Sequence, residues 1–145
     1  VIIGDGWQID EMKELVKKLD IEYAVKFLGY LPDEAMKRIL KSLDVLVIPS
    51  VYEPFGIIAL EGMSAGIPIV ASSVGGLDEI LENEVDGLKV PPRDSNAIAD
   101  AVCRLLADEH LRMKLVENAR NKVKKYSWEE IAKRTIKVYE GVINV

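Results

Sequence analysis

The sequence holds one cysteine and one histidine in 145 residues, and each scarcity excludes a class of chemistry. Cys103 has no partner for an internal disulfide, so the chain suits a reducing compartment and is expected to be cytoplasmic. It lies in an apolar helical stretch, which predicts a small core residue. His110 sits in a charged helix and reads as a surface residue. No cluster of metal-ligating residues is visible, and neither a metal nor a cofactor is expected. No apolar run approaches the ~18 residues of a membrane span. An excess of positive charge is also lacking. The 19 Lys and Arg against 24 Asp and Glu leave a net charge of −5, which argues against nucleic acid as the main partner. The cations Arg112, Lys114, Arg120, Lys122, Lys124 and Lys125 read as a solvated helix face.

What is present is an alternation of short apolar runs and helical periods. Val1–Ile3 reads as a strand running into a Gly-Asp-Gly turn. Ile9, Met12, Leu15, Val16 and Leu19 then form one helical face. Val25–Leu28 is a second strand, ended by Gly29, and Pro32-Asp33 opens a second helix. Asp44–Ile48 has almost no polar alternation, which predicts a parallel strand buried on both faces. A helix begins near Gly56 and stops at Gly66 and Pro68. Pro68–Ala71 and Gly87–Val90 complete five strands. Gly75-Gly76 reads as a tight turn before a short helix from Leu77 to Glu82. Helices over 95–107, 109–125 and 128–142 close the chain, with Ser127 and Glu130 as a capping box. Trp128 is expected to be substantially buried where the last helix packs along the domain.

Strands alternating with helices predict an α/β domain over 1–145, with a Rossmann-like doubly wound parallel sheet. Ligands bind such sheets beyond the carboxyl ends of the strands. Asp5–Gly6, Tyr30, Glu53–Ile58 and Gly75–Gly76 all follow strands, and all are expected to line one crevice.

Residues 53–66 are the most informative stretch. Glu53 and Glu61 stand eight residues apart, separated by a turn signal at Pro54 and Gly56 and then a helix start. A helix N-terminus offers unpaired amides and a positive dipole end to an anion. Flanking carboxylates accept hydrogen bonds from hydroxyls. Glu61 is surrounded in sequence by Ile57, Ile58, Ala59, Leu60, Gly62 and Met63, where a charge is costly unless paired. The pattern points to a small phosphorylated or hydroxylated ligand.

Further motifs follow in a fixed order: Val-Ile-Ile-Gly-Asp-Gly at 1–6, Phe-Leu-Gly-Tyr at 27–30, Glu-Pro-Phe-Gly at 53–56 and Gly-Ile-Pro-Ile-Val-Ala at 66–71. Gly-Gly-Leu at 75–77, Asp-Gly-Leu-Lys-Val at 86–90 and Tyr-Ser-Trp at 126–128 continue it. Together they resemble the retaining GT-B-fold glycosyltransferases of the glycogen synthase and sucrose synthase group. The resemblance covers nearly the whole chain. It implies the C-terminal, donor-binding half of that fold, whose substrate is a nucleotide-diphosphate sugar. Glu53 would be the catalytic residue at the transferred sugar's hydroxyls. Phe55, Gly56, Ile57 and Ile58 would present amides to sugar and diphosphate, and Glu61 would take the ribose hydroxyls. Tyr30 would stack on the nucleobase, with Gly4 and Gly6 also in the substrate-binding set.

The family's first strand, its Arg and Lys for the diphosphate and its acceptor-binding domain would all precede Val1. A hydrophobic strand with no polar lead-in likewise predicts a truncated chain. Loss of a central strand would expose sheet edges and favour self-association. Three rival readings stay open: a glycosidase using two carboxylates, a receiver-like signalling domain, and a non-catalytic α/β interaction or structural module that binds no nucleotide. The receiver reading is poor, because Asp44 starts its strand instead of ending it.

Overall fold

The computed structural model describes residues 1–143. The chain divides into two compact units, Val1–Ile39 and the part from Leu40 onward.

The first unit carries α1 (Ile9–Lys18) and all but the last residue of α2 (Asp33–Leu40). Asp10 and Glu11 in the first turn of α1 and Lys17 and Lys18 in its last both complement the helix dipole. Of its apolar stripe only Val16 is buried. The strands expected at Val1–Ile3 and Val25–Leu28 reduce to a single parallel bridge, Ile2 to Phe27. Ile2 N–H donates to Lys26 O at 2.8 Å and Leu28 N–H to Ile2 O at 2.9 Å. After that bridge Gly4 at φ 115° and Gly29 at φ 63° leave the extended conformation, so the regular ladder is not continued although Gly4 N–H still donates to Gly29 O.

The second unit is built on a three-stranded parallel sheet of order β1 (Leu46–Ile48), β2 (Ile69–Ser72), β3 (Leu88–Val90). The expected five strands are therefore three. Every residue of the central strand β2 is buried. β1 was expected to be covered on both faces, but Leu46 and Ile48 are buried while Val47 is exposed. Its place at the sheet edge accounts for the difference. Helices cover both faces of β2. Val70 joins Leu88, Val90, Ala101, Leu105 and Leu115 in one cluster. Ile69, which points the opposite way, lies against Gly62 of α3 (Ile57–Ala65). Each fully buried aliphatic side chain contributes about 1.5–3 kcal/mol.

α4 (Gly75–Ile80), α5 (Ser95–Ala107), α6 (Glu109–Val123), a 3₁₀ turn (Lys124–Tyr126) and α7 (Trp128–Ile143) follow. Asp94 caps α5 by accepting from Ala97 N–H at 2.9 Å, and Asp108 caps α6 by accepting from Leu111 N–H at 2.9 Å. At α7 half of the capping box forms: Glu130 N–H donates to Ser127 Oγ at 3.3 Å. Asp86 is buried, takes Glu82 N–H at 2.8 Å and pairs with Lys122 at 2.6 Å, tying the β3 turn to α6.

Two burial expectations are corrected. Cys103 is exposed. The inward positions of α5 are Ala101 and Leu105, and a residue midway between them lies on the opposite side of a 3.6-residue helix. Trp128 is 86% exposed, and α7 has no buried residue. An amphipathic pattern marks a face suited to burial but does not supply the partner that buries it.

Candidate functional site

The Glu53 turn follows the carboxyl end of β1 and is locked from three directions. Glu53 turns its carboxylate back into its own loop, where Oε1 accepts from Gly56 N–H at 3.1 Å. Oε2 accepts from Ser50 Oγ–H at 3.4 Å. Glu53 O accepts from Gly76 N–H at 2.8 Å. Gly56, at φ 92°, turns the chain into α3 in a conformation that disfavours any side chain.

Gly75 and Gly76 are not the free turn that the sequence suggests, since they form the first residues of α4. A Cβ on Gly75 would overlap the carbonyl oxygen of Glu53, and one on Gly76 would overlap the carbonyl of Phe55. The glycine pair lets α4 start directly against the backbone of the 53–55 loop. The start of α4 thus supports the entry to α3, a part not apparent from sequence for Gly75-Gly76. Ser50 was missed altogether, because a serine after a strand carries no distinctive signal.

The first intrahelical acceptor bond of α3 runs from Ala59 N–H to Gly56 O at 3.0 Å. The amides of Ile57 and Ile58 precede it and have no acceptor within the helix. Gly56 N–H was expected to be open alongside them, but Glu53 occupies it. Phe55 and Ile57 are exposed beside the turn, while Gly56 is buried. Glu61 is exposed on α3. The expectation that it pays a desolvation cost among apolar neighbours is therefore corrected: α3 buries Ala59, Gly62 and Met63 and leaves Glu61, like Ile57, in solvent.

Beyond β2, Asp78 of α4 accepts from Ser73 and pairs with Lys89 of β3 at 2.5 Å. The Lys89 hydrogen bond, and then that of Ser73, holds the Asp78 carboxyl below its ordinary 3.8. This link fastens α4 to the sheet.

In the first unit, Gly4 N–H donates to Gly29 O at 2.8 Å, so the Gly4–Gly6 loop and the Tyr30 loop are joined through backbone. Asp5 Oδ1 accepts from Gly6 N–H at 2.8 Å. Tyr30 is exposed. The space around Gly4 and Gly6 is open to 4 Å. The expected residues thus gather as two groups: Gly4, Gly6 and Tyr30 in the first unit, and Glu53 to Glu61 with Gly75–Gly76 in the second. Among the described residues no group of three or more His, Cys, Asp or Glu is placed to hold a metal ion. No described helix is long and apolar enough to cross a membrane.

Parallel strands, a helix start with two unpartnered amides behind β1 and a glycine-backed loop make up the candidate site. Residues 1–122 match the family described as Glycosyl transferases group 1, and the chain belongs to that family. An uncharacterized glycosyltransferase of Methanocaldococcus jannaschii is 49% identical over 97% of this chain and 36% of its own length. Sucrose-phosphate synthase from Thermosynechococcus elongatus superposes with a TM-score of 0.84 at 37% identity, over 93% of this chain and 34% of that one. The Anabaena protein HepE in complex with UDP-glucose superposes with a TM-score of 0.83 at 26% identity, over 99% of this chain and 40% of that one. The chain spans about a third of the length of the curated relatives it matches.

Proposed function

We propose that this chain is the donor-binding part of a retaining glycosyltransferase that moves a sugar from a nucleotide-diphosphate sugar to a hydroxyl acceptor. An acceptor-binding domain outside this sequence completes the catalyst, which works in the cytoplasm. The observation that carries the reading is the locked Glu53 turn opening α3 with two unpartnered amides. It is supported by family membership and by a structural relative described in complex with UDP-glucose.

In this reading the diphosphate sits at the Ile57 and Ile58 amides. As the glycosidic bond to the diphosphate breaks, negative charge builds on the phosphate oxygens. Preorganised amides and the positive end of the α3 dipole stabilise that charge without reorganising. Glu53 lies at the entrance to the same helix and accepts hydrogen bonds from the sugar hydroxyls beside the reacting carbon. Phe55 and Gly56 shape the backbone that faces the sugar. Glu61, exposed on α3, takes the ribose hydroxyls as hydrogen-bond donors. In the first unit, Tyr30 stacks on the nucleobase, and Gly4 and Gly6 belong to the substrate-binding set. No metal or cofactor enters, because the donor itself is a substrate.

The test is kinetic, in the complete protein that carries this chain, with UDP-glucose as the first donor. Glu53→Gln keeps the side-chain shape and an acceptor for Gly56 N–H while removing the charge. It should lower kcat at least tenfold with KM for donor little changed. Glu61→Ala should raise donor KM through a loss of about 1–3 kcal/mol in binding. Wild-type kinetics in both variants would overturn the assignment, and wild-type kinetics in one would remove that residue from it.

A further inference from the structure

The cations at 112–125, which the sequence suggests are a solvated face, include four that border a cleft instead. This cleft, of about 1090 Å³, lies between α6 and the segments that lead into β1 and β2. Those segments, at Leu43–Asp44 and Gly66–Pro68, mark the amino ends of the strands. The Glu53 turn stands at the carboxyl end of β1, so the cleft and the proposed donor site occupy opposite ends of the sheet.

Arg112, Lys114, Arg120 and Lys124 line the cleft against the carboxylates of Asp44 and Glu117. That local excess of positive charge stands on a chain whose net charge is −5. Arg112 and Arg120, eight residues apart, share one side of α6, and Lys124 follows in the 3₁₀ turn, while Lys114 stands two residues from Arg112 on another side of the helix. Arg120 has no carboxylate within ion-pair distance among the described residues. Lys114 stands close enough to Glu84 to help the Arg104 hydrogen bond hold that carboxyl below its ordinary value. The Arg120 guanidinium lies against Gly66, the left-handed cap of α3. Apolar surface from Leu43, Pro68 and Val116 lies beside the charges.

Uncompensated like charges in a concave surface concentrate counter-ions of opposite sign. A guanidinium matches phosphate oxygens with two parallel hydrogen bonds, and ammonium groups supply further point charges. The apolar wall gives a carbon skeleton somewhere to rest. We propose that this cleft is a second ligand site, distinct from the donor site, that binds a phosphate ester carrying an apolar body. The ester is either a soluble molecule or a lipid headgroup, since both present the same chemistry.

The test follows amide NMR shifts in the complete protein that carries this chain during titration with hexyl phosphate and, separately, inorganic phosphate. The expected result is a saturable shift along residues 112–124 and at Gly66, with hexyl phosphate binding tighter than inorganic phosphate. Lys114→Gln with Arg120→Gln should weaken hexyl phosphate binding at least tenfold. Lys114→Gln with Lys124→Gln should do likewise, and it leaves Arg120 seated on Gly66 should the first pair fail to fold. Cosedimentation with phosphatidylcholine vesicles containing phosphatidic acid, lost in the variants, assigns the lipid source. Hexyl phosphate binding without vesicle binding assigns the soluble one. No saturable shift on α6, equal affinity in wild type and variants, or shifts confined to Ile57 and Ile58 would overturn the site.

Discussion

Each unit carries a glycine turn, and the two use glycine for different reasons. Gly76 is required by packing, because the backbone of Phe55 fills the space a Cβ would take, and Gly75 by packing against Glu53 as well as by its φ of 45°. Gly4 is required by backbone conformation, at φ 115°, with open space around it. Gly6 is required by neither, because its surroundings are open and its φ lies outside the left-handed range. The same residue type thus reports packing at Gly76, backbone shape at Gly4 and neither at Gly6, where space is open. Stability measurements separate these cases.

The largest effect is expected at Gly76. Gly76→Ala drives a Cβ into the Phe55 carbonyl, and backbone cannot rotate aside as a side chain can. The loop or α4 must shift, costing about 3 kcal/mol, and Gly76 N–H loses its seat on Glu53 O. Urea unfolding should show this loss. A variant as stable as wild type would show that the interlock of loop and helix is not rigid. Asp86→Ala, outside both turns, gives a yardstick of similar size. It leaves Lys122 unpaired and Glu82 N–H without its acceptor, a loss of about 3 kcal/mol by the same measurement.

Gly4→Ala should cost less, about 1–2 kcal/mol, from left-handed strain alone. Gly6→Ala should change stability by less than ~0.5 kcal/mol. Its effect should appear in donor binding instead, because the added methyl group enters space that the proposed nucleotide approaches. Calorimetry with UDP-glucose in the complete protein checks this. Unchanged affinity would remove Gly6 from the donor site, while a large loss of stability would contradict the open surroundings of that loop.

The second unit was more legible in the sequence than the first. Apolar runs at 46–48, 69–72 and 88–90 are flanked by turn residues, and each becomes a strand. Gly66 marked a helix end and sits at the cap of α3, whereas the caps Asp94 and Asp108 were not singled out in the sequence. The runs near Val1 and Val25 look similar but yield one bridge, because positive-φ glycines at 4 and 29 take the backbone out of the extended conformation. A pattern of residue types does not register such dihedral angles. The Glu53 turn was visible as a motif, yet its support was not: Ser50 and the Gly76 contact are long-range or generic in sequence. The burial expectations for Glu61 and Trp128 failed in the same direction and for one reason, both residues being exposed. Apolar neighbours in sequence do not say which side of a helix a residue occupies, nor whether a partner covers that side.

The smallest effect is a pH signature, which distinguishes how firmly α4 is fastened. Asp78 is exposed and its carboxyl is held below the ordinary 3.8 by the Lys89 hydrogen bond, then by that of Ser73. A depressed folded value means the link stabilises the fold fully above the unfolded carboxyl's titration. The contribution then fades as pH falls through the lower folded value. Acid should therefore loosen α4 from β3 below about pH 3.8. Carboxyl carbon NMR should place the Asp78 titration below 3.8 in wild type and return it toward that figure in Lys89→Met. Amide exchange at Gly75–Ile80 should quicken over the same acid range in wild type. In Lys89→Met it should be faster at neutral pH and less sensitive to acid. Identical Asp78 titrations in the two proteins would mean that Lys89 does not hold the carboxylate. The rigidity of the α4 start would then rest on the backbone contacts of Gly75 and Gly76 alone.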